Sequence, residues 1–204
     1  MVKKIAPKLT AAISQAVTQA ERRTSAEIAV VLTPASDGYQ AYQLLYGFAA
    51  GSVTCVLLWA TKTLTAFPVL MLIQALALGC FAFIPLLRHL CMKLLPKRVL
   101  HRYAARRAAE EFQTLSRQVP PERVLVLLYV SLAERYVHIL HSRAAGAKIK
   151  PSVWDGIVAS FTAGARKPGL APAFEIAIGK IADALAPHFP DKGEANILSN
   201  QAKK

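Results

Sequence analysis

Glu27, Glu134 and Asp155 are the acids best placed for chemistry, because each stands near the end of an expected strand or helix. Catalysis by paired carboxylates needs two such groups facing one pocket, one giving and one taking a proton. The chain holds twelve Asp and Glu in all. Glu110 and Glu111 are adjacent on an expected helix, so they diverge and read as a solvated face. His138 and His141 lie three apart on an expected strand, project to opposite faces and cannot easily share a metal. His188 falls at a helix C-terminus, where an imidazole serves as a cap. Ser131 has no evident base in the sequence. There is no phosphate loop, GxSxG or GxGxxG. Cys55, Cys80 and Cys91 match neither a zinc spacing nor a disulfide framework and read as small apolar filler. Neither a metal site nor a cofactor is implied.

Two further pairs carry alternatives. Glu134-Arg135 could line a cleft at a hairpin turn, or form a turn salt bridge that fixes the hairpin. Trp154-Asp155 could belong to a binding site. Otherwise Trp154 is a core side chain and Asp155 an acid favourable to the start of a helix. The basic loop at Arg166-Lys167 could meet phosphate or lipid, or be merely solvated.

The elements that must position these residues are legible from periodicity. Ile5, Leu9, Ile13, Val17 and Ala20 recur at helical spacing and give an amphipathic helix over about 5–23. Thr24-Ser25-Ala26-Glu27 matches a capping box, yet the β-branched run Ile28–Thr33 follows it, so a buried strand is expected instead. Pro34–Gly38 breaks that strand. Val99–Arg117 is an amphipathic helix stopped by Pro120-Pro121. Val124–Val130 is unbroken apolar sequence, as in a central strand covered on both faces. A short turn at Ser131–Glu134 and a second strand at Arg135–His141 make an antiparallel hairpin. Ala144–Lys150 reads as a loop. Val153–Ala163 and Ala173–Leu185 read as helices, and the tail from Asp191 as disordered. The fold class expected is α/β, a small mixed sheet covered by helices.

An apolar block interrupts this pattern over about 42–87. Its arms, Leu44–Ala60 and Leu64–Leu87, carry no charge and are separated by Thr61-Lys62-Thr63. A bilayer needs roughly 20 apolar residues per helix, with about 17 as the lower limit. A helix satisfies its own backbone, so the arms predict a two-helix transmembrane hairpin. Gly47 and Gly51 have the GxxxG spacing that allows close helix approach. The expected organisation is therefore residues 1–41 as the first part of a domain, 42–87 as the hairpin (about 43–60 and 64–87), 88–190 as the second part, and 191–204 as a tail. The N-terminus lacks the apolar core of a cleavable signal.

The net charge is +13. Lys and Arg flank both arms and the turn carries only Lys62, so the positive-inside rule predicts that both termini and the soluble domain are cytoplasmic. The basic belt from Arg88 to Arg107 should rest on anionic headgroups, each residue contributing about 1 kcal/mol near the surface. No nucleic-acid partner is expected, since no RNA-binding or helix-turn-helix motif accompanies the cations.

The segment Val124–Ile139 (VLVLLYVSLAERYVHI), then Trp154-Asp155-Gly156-Ile157-Val158, then a helix ending in His188-Phe189-Pro190, resembles the TPM domain family. Its bacterial membrane-associated branch shows this order, and Thr24–Ile28 fits the start of the domain. The likeness covers roughly 5–35 and 99–190. It implies a compact α/β sandwich at the bacterial inner membrane. Some relatives are phosphatases, some are assembly or repair factors of membrane complexes, and some bind divalent metal through acidic loops. Ser142 stands where that branch usually has an aspartate, and Pro121-Glu122-Arg123 replaces its Asp-Asn-Gly type turn. Both departures count against metal binding and hydrolysis.

Two functions follow as expectations. One is a non-enzymatic, membrane-anchored interaction module serving a membrane protein complex. The alternative is a metal-dependent phosphoester hydrolase. The candidate binding cleft comprises Glu27, Glu134, Arg135, Ser142, Arg143, Trp154 and Asp155. Convergence of Glu27, Glu134, Asp155 and His188 in one concavity would favour the hydrolase, and dispersion the module.

Overall fold

A computed structural model describes residues 7–36, 39–63, 66–166, 169–191, 193, 197 and 198. The chain divides into two compact units, one of residues 1–36 with 101–204 and the other of residues 37–100.

In the first unit, β1 (Glu27–Thr33), β2 (Leu125–Ser131) and β3 (Tyr136–His141) form one sheet in the order β1-β2-β3. β1 pairs parallel to β2, with Glu27 opposite Leu125, and β3 pairs antiparallel to β2, with Tyr136 opposite Ser131. Every residue of β2 is buried, as expected for a strand covered on both faces. Alternation then assigns the faces. Val126, Leu128 and Val130 join Ile28, Val30 and Leu32 in a core built with α1 (Pro7–Glu21), α7 (Pro151–Gly164) and α8 (Ala171–Leu185). Phe161 of α7 and Phe174 of α8 meet edge to face at 4.9 Å between ring centroids. Leu125, Leu127, Tyr129 and Val31 face the opposite way and pack on Ala108, Phe112 and Leu115 of α5 (Lys97–Ser116). The architecture is α/β, a small mixed sheet covered by helices. Each fully buried Val, Leu or Ile contributes about 1.5–3 kcal/mol of hydrophobic stabilisation, so the two-sided burial of β2 anchors the unit.

As expected, a strand and not a capped helix follows Thr24: the Thr24 hydroxyl donates to the Phe189 carbonyl at 2.6 Å and Glu27 begins β1. Other expectations change in detail. Arg135 lies in the hairpin turn rather than the strand, at φ 50°. The expected loop at 144–150 is largely a short helix, α6 (Arg143–Lys148). Its Ala145 is fully buried, which gives the segment a face to fold against. The tail from Asp191 lies largely outside the described residues, but Ile197 and Leu198 donate backbone N–H groups to the Glu27 carboxylate, so this part of the expected disordered tail is docked.

In the second unit, α2 (Gln40–Ala60) and α3 (Phe67–Phe83) pair, followed by α4 (Pro85–Leu94). α2 ends in a Schellman motif, with Lys62 left-handed at φ 53°, Lys62 N–H on the Trp59 carbonyl and Thr63 N–H on that of Leu58. The expected second arm, Leu64–Leu87, is not one helix. Leu64 and Thr65 lie outside the described residues, and the chain breaks at Ile84 (φ −86°, ψ 113°). Pro85 removes a backbone donor and pushes the preceding residue into extended backbone, so α3 stops at 17 residues. The expected hairpin end at Leu87 thus falls inside α4. Among the described residues one helix, Gln40–Ala60, is long and apolar enough to cross a membrane, and α3 is apolar but shorter.

Candidate functional site

The register separates the sequence-selected residues. Glu27 and Ser142 stand at one end of the sheet, since Glu27 pairs with Leu125 and the Leu125 carbonyl accepts the Ser142 N–H at 2.9 Å. Glu134 and Arg135 occupy the turn beyond Ser131, at the other end. Six steps of a strand separate those ends by about 20 Å. Trp154 stacks on His141 at 5.2 Å, which places it at the first end, on the side of α7. Asp155, Arg143 and His188 are exposed. Asp155 is the fifth residue of α7, past the first turn, so it does not have the expected place at the start of the helix dipole. Glu27, Glu134, Asp155 and His188 therefore do not converge.

At the first end, Glu27 is 2% exposed and accepts the Arg123 guanidinium at 2.6 Å. The Ile197 N–H reaches one carboxylate oxygen at 3.1 Å and the Leu198 N–H the other at 3.4 Å. A cleft of about 290 Å³ opens beside this pair, lined by Glu21, Arg22, Thr24, Arg123, Asp191 and Gly193 among others. Among the described residues the buried Ser142 hydroxyl and Trp154 indole N–H have no hydrogen-bond partner. His141 is tightly seated: a Cβ on Gly146 would lie 2.7 Å from its ring, so the helix α6 needs glycine there.

At the other end lies a second buried polar group, which sequence reasoning saw only in part. The Ser131 hydroxyl donates to Glu134, and the Ser36 N–H donates to the same carboxylate at 2.9 Å. The Ser36 hydroxyl and the Tyr129 hydroxyl are 2.9 Å apart. Burial pushes the Tyr129 hydroxyl above its usual pKa; the Ser36 bond opposes this and the Glu134 charge adds to it. Ser131 thus has a carboxylate partner after all. Glu134 holds the loop after β1 to the loop after β2, and its oxygens are taken by structural donors. The only sequence signal was Ser131 three residues before Glu134, because Ser36 is 98 residues away.

His138 and His141 face opposite sides, as expected: His138 lies near Tyr136 at 6.0 Å and His141 on Trp154. Burial lowers the His138 pKa, and the charge of His141 lowers it further. Among the described residues no group of three or more His, Cys, Asp or Glu is placed to hold a metal ion.

No family model matches the chain, and no curated protein matches it. Among solved structures it is similar to the NMR structure of the BA42 protein from the psychrophilic bacterium Bizionia argentinensis, with a TM-score of 0.58 and 16% sequence identity over 98% of this chain and 95% of that one. That likeness shows the fold alone.

Proposed function

We propose that the chain is a membrane-anchored interaction module of the TPM type, without hydrolytic activity, that serves a membrane protein complex. α2 and α3 form its two-helix anchor, the soluble unit and both termini face the cytoplasm of a bacterial inner membrane, and the basic residues after the anchor rest on anionic headgroups. One observation carries the reading. α2 and α3 are built inside out: α2 buries only Gln43, Gly47 and Gly51, α3 buries nothing, and Leu45, Phe48, Val56, Leu57, Trp59, Leu72 and Leu76 are more than half exposed. Monomeric soluble proteins rarely expose an apolar patch of such extent, whereas a pair of helices in lipid does so at no cost. α3 with its 17 residues reaches the lower limit for a span.

The non-enzymatic part rests on the dispersal of the acids and on the engagement of both buried carboxylates by structural donors. It also counts against the phosphatase alternative.

Two measurements test the proposal. In a background with Cys55, Cys80 and Cys91 replaced by alanine, a cysteine at Thr63 should react with an impermeant thiol reagent in intact cells. Cysteines at Lys97 or Arg166 should not; the reverse pattern overturns the topology. Detergent-purified protein, with Mg²⁺, Mn²⁺, Ca²⁺ or chelator, should show no phosphoester turnover. Turnover that is lost in Glu134→Ala or Asp155→Ala would restore the hydrolase.

A further inference from the structure

We propose that the outer edge of β3 is a docking site for an extended, acid-flanked segment of a partner protein, which joins the sheet there as a fourth strand. The inference deepens the interaction-module reading by naming the class of partner, and it rests on the non-enzymatic part of that reading. It does not depend on the membrane anchor.

The register shows which backbone groups of β3 face outward. The Ser142 N–H donates to the Leu125 carbonyl, and antiparallel partners alternate between bonded and non-bonded pairs. His138 and Leu140 therefore bond to Tyr129 and Leu127, while Val137, Ile139 and His141 turn their N–H and C=O groups away from β2. β3 ends the strand order, so among the described residues no strand receives them. The edge of β1 differs. β1 is mostly buried, and the Glu21 carboxylate accepts the Ile28 N–H at 3.4 Å. Edge strands are commonly blunted by Lys, Pro or a bulge. β3 (YVHILH) has none of these. Its register with β2 is unbroken, His138 is exposed, and Tyr136, Val137, Leu140 and His141 are half-buried. An outward main-chain edge with partly open side chains on both faces is what a strand-adding peptide needs.

Charge selects the occupant. Arg135 stands just before β3 and Arg143 two residues after it. Both are exposed, and among the described residues neither has a carboxylate partner. Asp155 is the acid whose charge reaches the strand, at His138. Two guanidinium groups against that carboxylate leave both ends of the edge positive. A second copy of the chain fits poorly. The antiparallel pairing that uses all three outward residues is centred on Ile139, and it sets Arg135 of each copy opposite Arg143 of the other. Like charges directly opposite destabilise a strand pair. A segment with Asp or Glu at both ends turns the same two contacts into attractions, which fix its register as well as its orientation.

The test uses the full-length protein in detergent at low salt and a fluorescein-labelled, nine-residue peptide, the span from Arg135 to Arg143. The probe alternates Thr and Val between a Glu at each end. A second probe with Lys at both ends should bind at least about tenfold more weakly, the combined effect of two exposed ion pairs lost and two repulsions gained. In the Arg135→Glu/Arg143→Glu protein the preference should reverse. No binding of the Glu probe to wild type, or the same preference in both proteins, overturns the proposal. Amide exchange decides independently of how that variant folds. In the wild type the Val137 and Ile139 amides should exchange faster than those of His138 and Leu140, and saturating Glu probe should slow the first pair to the rate of the second. Val137 and Ile139 amides that are protected without the probe, or that it leaves unchanged, overturn the proposal. Failure here leaves the thiol-labelling pattern and the turnover measurement as they stand, so the two readings fail separately.

Discussion

Removing the Glu134 carboxylate leaves the Ser131 hydroxyl and the Ser36 amide without the acceptor they now share. An unsatisfied buried donor costs about 1–3 kcal/mol, more when its partner was charged. Glu134→Ala should therefore destabilise the first unit by about 2–4 kcal/mol, and Glu134→Gln, which keeps an acceptor, by less than half of that. Denaturant unfolding in detergent, followed by Trp154 fluorescence in a Trp59→Phe background, measures it; equal losses in the two variants would refute the assignment. The same residue shows what a sequence withholds. Glu134 was visible as an acid at a hairpin turn, but its partner Ser36 is 98 positions away. Glu27 and its partner Arg123 are separated by 96. Pairings over such distances leave no local pattern, so the candidate residues could be named while their grouping could not.

Elements were more legible than side-chain partners where the apolar period was strong. β2 is an unbroken apolar run and proved central; α1, α5, α7 and α8 follow their stripes to within a few residues. α6 leaves no legible stripe, because six residues give less than two turns of periodicity. The break at Ile84 is not legible, because Pro85 sits in uniformly apolar sequence, where a membrane helix can tolerate it. The GxxxG spacing of α2 marks a close-approach face. A Cβ at Gly47 would lie 2.9 Å from the Phe81 Cβ and 3.3 Å from α3 backbone, which cannot step aside. At Gly51 one of the two closest atoms, at 2.8 Å, is the mobile end of Gln74, though the Ala77 Cβ at 3.0 Å adds a firm neighbour. At Gly79 a Cβ would meet nothing within 4 Å. Gly47→Ala should thus destabilise the helix pair by about 1–3 kcal/mol, Gly51→Ala by less, and Gly79→Ala not at all. Thermal unfolding in micelles would give this order, and a Gly79 variant as damaging as the Gly47 variant would contradict the packing.

At the scale of the whole chain, the parallel pairing of β1 with β2 sets the connectivity. Antiparallel neighbours can be joined by a two-residue turn, but parallel ones need a crossover that carries the chain back along the sheet. α5 is that return: His101, near its start, meets Tyr136 at 5.4 Å, and Leu115, near its end, packs with Leu125. Tyr136 pairs with Ser131 at the carboxyl end of β2 and Leu125 opens β2, so α5 runs from the carboxyl to the amino end of the parallel strands. β1 also leaves the sheet at its carboxyl end. The chain thus leaves the first unit and re-enters it at the same end of the sheet, and the second unit is inserted in sequence within the crossover between β1 and β2. Ser36, the last residue before the insertion, is fixed in place by Glu134 and Tyr129, which lie within the first unit itself. It follows that residues 39–95 can be replaced without unmaking the sheet. A Gly/Ser linker of about ten residues, with a reach of roughly 17 Å, should suffice. The product should fold, unfold cooperatively and stay in solution without detergent, because the large exposed apolar side chains of α2 and α3 leave with the insertion. Circular dichroism and sedimentation of that variant give the answer. A protein that is unfolded, or that still needs detergent, would mean that the helices hold the sheet together and are not an appendage to it.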